Sequence, residues 1–423
     1  MDESFTVLPD AFVGVEDGRI VHLSQTPPAE SVRPETIIDA AGMVMLPGLI
    51  NCRTWLTHSL LRGVGDDLDR RAAVEDHILP AESRTDPRTA EAAALLSIAE
   101  CLRFGVTSVS DQSVCCDAVA KAAADSGIKA CLCPVLSGGP EQVEREFSAL
   151  RRTWHGYDQG RIRIDAGIPE APAGDPQIWE LMARAAAEDD LGMQITLSET
   201  KEAHESWVER TALTPSQTMD CHRVLEGRTS AAHCVHLTEA DMALLGKRKV
   251  TAVFCPVADG KTAAGQADAV AMVRCGMNVA LGTDSALFHN NLDLWEDVKA
   301  AVLAARTLHG PGAFPAPAAL MTATVCGARA QGRERECGML KVGMDADLCL
   351  LDLSQPHLIP CHDLMSHAVY AASGRDVAMT MVRGKILYSA GKFPTIDLTK
   401  VMKELTEYAV PKLFDPQPEE EPS

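Results

Sequence analysis

The spacing of apolar positions changes period three times along the chain. Residues 11–15 and 19–23 alternate apolar with polar around Asp17-Gly18, which predicts a hairpin with a tight turn. A Pro-bounded loop over 27–34 and a further short strand over 36–39 follow. From residue 43 onward, short apolar runs alternate with longer stretches at helical spacing. The predicted strands are 43–46, continuing toward residue 55, then 106–109, 128–132, 162–168, 193–197, 229–233, 250–254 and 278–281. The predicted helices are 85–105, 116–127, 141–154, 175–190, 201–225, 239–247, 266–275 and 292–306. The first of these opens on Thr85-Asp86-Pro87, a capping residue followed by proline in the first turn. Eight strand–helix units over roughly 260 residues is the size of a (β/α)₈ TIM barrel, an α/β fold. The pattern then returns to β: a strand over 346–352 and a hairpin of 377–382 with 385–389.

Composition narrows the function classes. At 46% hydrophobic residues, the 423-residue chain has ample material for a core. The net charge of −20, from 39 Lys+Arg against 59 Asp+Glu, excludes nucleic acid and anionic membrane as expected partners. No apolar run reaches the roughly 18 residues of a membrane span. The acidic opening MDESFTVLPD lacks a basic n-region, so no signal peptide is expected. The 14 cysteines then read as reduced thiols in a cytoplasm, and Cys115-Cys116 and Cys131-x-Cys133 lack zinc-finger spacing.

Candidate chemistry gathers where predicted strands end, because a barrel presents its active site at those ends. The stretch 46–63 reads LPGLINCRTWLTHSLLRG. Arg53 and Trp55 are two residues apart and so point to one side of a strand. Further along stand Pro169-Glu170-Ala171-Pro172, Thr196-Leu197-Ser198-Glu199-Thr200, His233-Cys234-Val235-His236-Leu237, Cys255-Pro256-Val257-Ala258-Asp259-Gly260-Lys261 and Leu281-Gly282-Thr283-Asp284. Gly343-Met344-Asp345-Ala346-Asp347-Leu348 and Val382-Arg383-Gly384-Lys385 close the series.

In combination these motifs resemble the amidohydrolase superfamily, in its branch of S-adenosylhomocysteine and methylthioadenosine deaminases, guanine and cytosine deaminases and triazine chlorohydrolases. The likeness covers roughly residues 5–395. It implies a small composite β-sandwich built from the N-terminal (1–45) and C-terminal (343–395) strands. These flank a barrel over 46–342, with a C-terminal helix and acidic tail over 396–423.

In that branch the first barrel strand carries His-x-His, the fifth His-x-x-Glu-Thr, and the eighth an Asp. The histidines and that Asp hold zinc or iron, while the Glu and a sixth-strand His move protons. Here Arg53, Trp55 and Thr196 replace the three histidines, whereas Glu199, His233 and Asp284 remain. Catalytic zinc normally has three protein ligands and a water, and an arginine stays charged and cannot ligate. The expectation is therefore no metal ligands, no zinc or iron cofactor, and Arg53 in the ion's place. Arg53 would form a bidentate pair with Asp284, with Glu199 as a further partner. Glu199, His233 and Asp284 are the catalytic candidates. Arg53, Trp55, His58, Glu170, Thr196 and His289 are the substrate-binding candidates.

Each has a plainer alternative. Glu199, His233 and Asp284 are equally what an inactive descendant would inherit, Trp55 a core filler and His58 a structural histidine. Three functions follow: a metal-independent hydrolase or binder of a small nitrogen heterocycle, descended from enzymes that break C–N or C–Cl bonds; an inactive pseudoenzyme that assembles with an active paralogue; or an ordinary metal-dependent deaminase. By resemblance, a homo-oligomer is expected.

Overall fold

The computed structural model describes residues 5–68 and 70–415. The acidic tail lies outside the described residues. In chain order, the strands are β1 (Phe12–Glu16), β2 (Arg19–Ser24), β3 (Met43–Pro47), β4 (Leu49–Thr54), β5 (Val106–Ser113), β6 (Lys129–Pro134), β7 (Ile162–Ile164), β8 (Ala166–Ala171), β9 (Met193–Leu197), β10 (Thr229–His233), β11 (Thr251–Phe254), β12 (Asn278–Leu281), β13 (Leu348–Asp352), β14 (Val377–Val382) and β15 (Lys385–Ser389).

The architecture is a TIM-barrel-like α/β fold. Strands β4-β5-β6-β7 form one parallel sheet and β8-β9-β10-β11-β12 another. A parallel bridge between Thr54 and Asp284 joins β4 to the segment leaving β12, and the Asp284 amide donates to Arg53 O at 3.0 Å. β7 and β8 are two pieces of one predicted strand, parted at Asp165. Between the strands run helices such as Pro87–Arg103, Cys116–Ser126, Pro140–Trp154 and Pro176–Glu188. Asp86 caps the first of them by accepting from the Thr89 amide, and Pro87 follows, as its sequence signal implied.

Two expectations fail. The apolar run at 43–46 does not lead the barrel. It belongs to β3, which pairs antiparallel with β13 in the sheet β15-β14-β13-β3. The chain changes sheets at Gly48, where any Cβ would collide with the Thr107 side chain, and β4 starts one residue later. Periodicity alone cannot show which of two sheets a short apolar run joins. Residues 36–39 form no strand. Ile37 is 83% exposed, and its segment pairs with no strand among the described residues.

The β1–β2 hairpin packs on the four-stranded sheet through Ile20, Leu348, Leu350, Met379 and Met381, a cluster separate from the main core. This unit is tied to the barrel by charge. Lys129, at the start of β6, is fully buried, and its Nζ donates to Asp345 (2.7 Å) and Asp347 (2.5 Å) just before β13. Arg383, in the β14–β15 turn, also donates to Asp345. Burial pulls the Lys129 ammonium down, but Asp347 and Asp345 outweigh it and hold it above its ordinary value. Burial raises Asp345, but Lys129 and Arg383 bring it below the usual carboxylate range.

Lys129→Met is expected to cost about 3–5 kcal/mol, because it leaves two carboxylates without their buried cation. A drop in the urea midpoint measures the loss. The pH dependence follows from the shift directions. The lysine's contribution is present below 10.5 and fades as pH rises through its raised value. The Asp345 contribution is present above 3.8 and fades as pH falls through its lowered value. Wild-type stability minus that of the variant should therefore be flat across neutral pH and shrink at both extremes.

Candidate active site

Three ends of the parallel strands carry left-handed backbone. Ser198 (φ 49°), His233 (φ 69°) and Asp284 (φ 58°) all take left-handed conformations where β9, β10 and β12 end. Such conformations cost about 1–3 kcal/mol each and persist where surrounding contacts impose them, often at functional sites. Here they turn Glu199, His233 and Asp284 toward a common centre.

Arg53, 4% exposed, crosses that centre from β4. Its Nε donates to Asp284 Oδ1 at 3.3 Å, its Nη2 to Thr196 Oγ1 at 2.9 Å, and its Nη1 to Gln112 Oε1. The expected bidentate pairing does not form, since the two Nη atoms turn to neutral partners. Asp284 Oδ1 instead also accepts from Trp55 Nε1 at 3.0 Å. The guanidinium carbon lies 4.9 Å from the Trp55 ring centroid, within cation–π range. β4 ends at Thr54, yet residues 53 and 55 still face one side. Gly282 makes room for this arrangement: a Cβ there would stand 2.7 Å from the Arg53 amide nitrogen.

Beside this pair lies a second line of charge. His233 Nδ1 donates to Asp259 Oδ1 at 2.7 Å, and its Nε2 lies 3.8 Å from Glu199 Oε2. Burial lowers the affinity of His233 for its second proton, but the Glu199 and Asp259 carboxylates outweigh burial and raise its pKa to about 9. Burial pushes Asp259 up to about 6 against the pull of His233. His233 is therefore held between two carboxylates, which favour its imidazolium form. Asp259 Oδ2 is buried without a hydrogen-bond partner among the described residues.

Of the other candidates, His58 stacks on Trp55 at 4.9 Å. Glu170 is exposed at the end of β8. His289 also stands apart, in a fully buried pair with Asp297 at 2.8 Å on the following helix. Burial lowers His289, and Asp297 more than restores it, leaving a net rise.

The sequence reading missed three members. Asp259 stood inside the quoted stretch Cys255–Lys261, where the family resemblance implies an Asn, and that change of charge was the available signal. Gln112 and Glu82 had no signal, because their contacts join positions 59 and 24 residues apart. Gln112 also donates to Gln194 O and Gln194 to Asp165 Oδ2, so buried polar side chains link β5, β9 and the segment between β7 and β8.

The sequence from 44 to 387 matches the Amidohydrolase family. Over 378 residues, 88% of each chain, it is 38% identical to a 5-methylthioadenosine/S-adenosylhomocysteine deaminase of Moorella thermoacetica. It is 36% identical over 417 residues to a 5'-deoxyadenosine deaminase of Methanosarcina barkeri, covering 97% of this chain and 95% of that one. An adenosine deaminase from Xanthomonas campestris, solved with bound zinc, superimposes with a TM-score of 0.90 at 27% identity, covering 95% of this chain and 94% of that one.

That zinc overturns the expectation that no cofactor belongs here: a relative of the same fold holds the ion. The donors of this chain are a different matter. Arg53, Trp55 and Thr196 offer an ion no ordinary ligand atom. Among the described residues, no group of three or more His, Cys, Asp or Glu side chains is arranged to hold one. The residues present do not fit a zinc set. The family itself rests on the matched span and on both deaminase relatives: this chain belongs to the amidohydrolase family.

Proposed function

We propose that this protein is a hydrolase of the deaminase type, acting on the amino-bearing ring of an adenosine-like nucleoside. Its acid–base groups would be Glu199 and His233, with Asp259 and Asp284 setting their charge. The observation that carries this reading is the buried line Glu199–His233–Asp259 beside Asp284. The two deaminase relatives, at 36% and 38% identity, favour the substrate class.

In hydrolytic deamination, water adds to the ring carbon that bears the amino group. The neighbouring ring nitrogen takes up a proton, and the amine leaves as ammonia after receiving another. A carboxylate and an imidazolium side by side can take the proton from water and return one to the leaving amine. The reading includes a closed eight-stranded barrel that begins at β4 and runs to about residue 342, with its site at the strand ends. The strands up to β3 and those of 343–395 would form one sandwich. Arg53, Trp55, Thr196 and Glu170 would line the substrate's side of the mouth, with His58 and His289 behind it.

Arg53 favours a second reading, nucleoside binding without turnover, because its guanidinium already engages Asp284. One experiment separates the two. Purified protein of measured zinc content, with and without added zinc, is given adenosine, 5'-deoxyadenosine, methylthioadenosine and S-adenosylhomocysteine. Ammonia release and binding are both followed. Ammonia supports the deaminase, binding without ammonia supports the second reading, and neither event with any of the four removes both.

Glu199→Gln should lower kcat by about 10²–10⁴-fold, the usual worth of a positioned general acid–base, with little change in nucleoside affinity. Asp259→Asn keeps an acceptor for His233 Nδ1 but removes one carboxylate. The fold should hold, and the His233 imidazole, followed by NMR, should titrate below about 9, toward 6.5.

A further inference from the structure

His58 reaches in three directions. Its ring lies flat on Trp55, with an interplanar angle of 11°. Its Nδ1 is 3.1 Å from Ser285 Oγ, the residue after Asp284. Its Nε2 donates to Glu82 Oε1 at 3.0 Å. The Ser285 hydroxyl also accepts from the Leu287 amide at 3.0 Å, so it is held from both sides.

Glu82 sits on the helix Leu79–Arg84, which continues a π-helical turn, Val74–Ile78. Such turns inside helices are rare and occur often at functional sites. Ile78 and Ala81 pack in a cluster with Leu61, Leu287 and Phe288, which places residues 74–84 against the segments leaving β4 and β12. Beyond Trp55, the indole N–H bonds Asp284 Oδ1, the oxygen that also receives Arg53 Nε.

We propose that His58 is a positioning residue: it couples the helical stretch 74–84 to Asp284, through Glu82 on one side and through Trp55 and Ser285 on the other. Two of its contacts are directional polar bonds and the third is a parallel stack, so a shift of the helix alters the indole's hold on Asp284. The coupling rests on the proposed function only in that Asp284 belongs to the site proposed there; its test needs no substrate.

The test uses amide hydrogen exchange, together with the emission of Trp55 taken as the difference from Trp55→Phe. The full-length protein is compared with Glu82→Gln, His58→Phe and the double variant. Glu82→Gln removes the charge but keeps the shape at a half-buried position. His58→Phe keeps the stacked ring but loses both polar contacts. Each single variant should speed exchange over 74–84 about tenfold, the weight of one hydrogen bond to a charged group. Exchange in β6 and β14 should be unchanged, and Trp55 emission should shift in both variants. The double variant should do no more than either single one, because the coupled bond is already gone.

Unchanged exchange over 74–84 would overturn the coupling. So would an equal rise throughout the chain, additive effects in the double variant, or a Trp55 emission that ignores Glu82→Gln. Adenosine that neither binds nor reacts would count against the deaminase reading while leaving these readouts intact.

Discussion

The constraint that governs this structure is charge that must be buried. Arg53, Glu199, His233, Asp259 and Asp284 all lie below one-tenth exposure at the ends of β4, β9, β10 and β12 and in the helix after β11. An unpaired charge at such depth is prohibitive, so each must find a partner. They sort into two groups: Arg53 with Asp284, and His233 between Glu199 and Asp259. The second group has one more carboxylate than cation, and burial answers by pushing Asp259 up to about 6. The left-handed backbone at His233 and Asp284 is the local cost of aiming these groups at each other.

The same logic acts at the opposite end of the molecule. Lys129 is as deeply buried as Arg53 and is likewise shared between strands and a distant segment. There the two carboxylates come from one short turn, Asp345-Ala346-Asp347, and the pairing joins two packing units. At the strand ends the charged residues come from five different segments. A pair of the first kind fixes how sheets sit. A cluster of the second kind leaves protons with choices of position, which is what acid–base chemistry needs. The contrast separates a structural ion pair from a candidate catalytic one without appeal to motif.

Much of this was legible in the residues, and the limits are physical. Strand ends announced themselves because small loops and charged residues follow short apolar runs, and those runs became β5, β6, β9, β10, β11 and β12 within a few residues. The run at 43–46 misled because two sheets meet at Gly48, and only the third dimension shows which sheet a strand joins. Residues 36–39 misled because β-branched residues signal fitness for a pleated surface, not the presence of a neighbour. Asp259 was visible but unweighed. A carboxylate in place of an amide changes nothing in periodicity, and it matters only because His233 lies 2.7 Å away. Gln112 and Glu82 act across the fold, and no spacing rule connects them to their partners.

The cofactor is where sequence reasoning and relatives part most sharply. Counting ligands led to the expectation of none, and a zinc-bound relative of the same fold corrects it. The count described the side chains of this chain alone, and so could not stand for what a relative of the same fold binds. What remains particular to this chain is the Arg53 and Trp55 pair itself. Both converge on one oxygen of Asp284, and the indole in turn stacks on His58, which bonds Glu82. Arg53 draws Asp284 into a cation's field, while Trp55 fixes the direction from which that oxygen can be approached. Any ligand entering the site must compete with the first and conform to the second. The surroundings of Asp284 are therefore set by two side chains of one strand end, and the second of them stacks on a histidine that bonds a helix lying outside the parallel sheets.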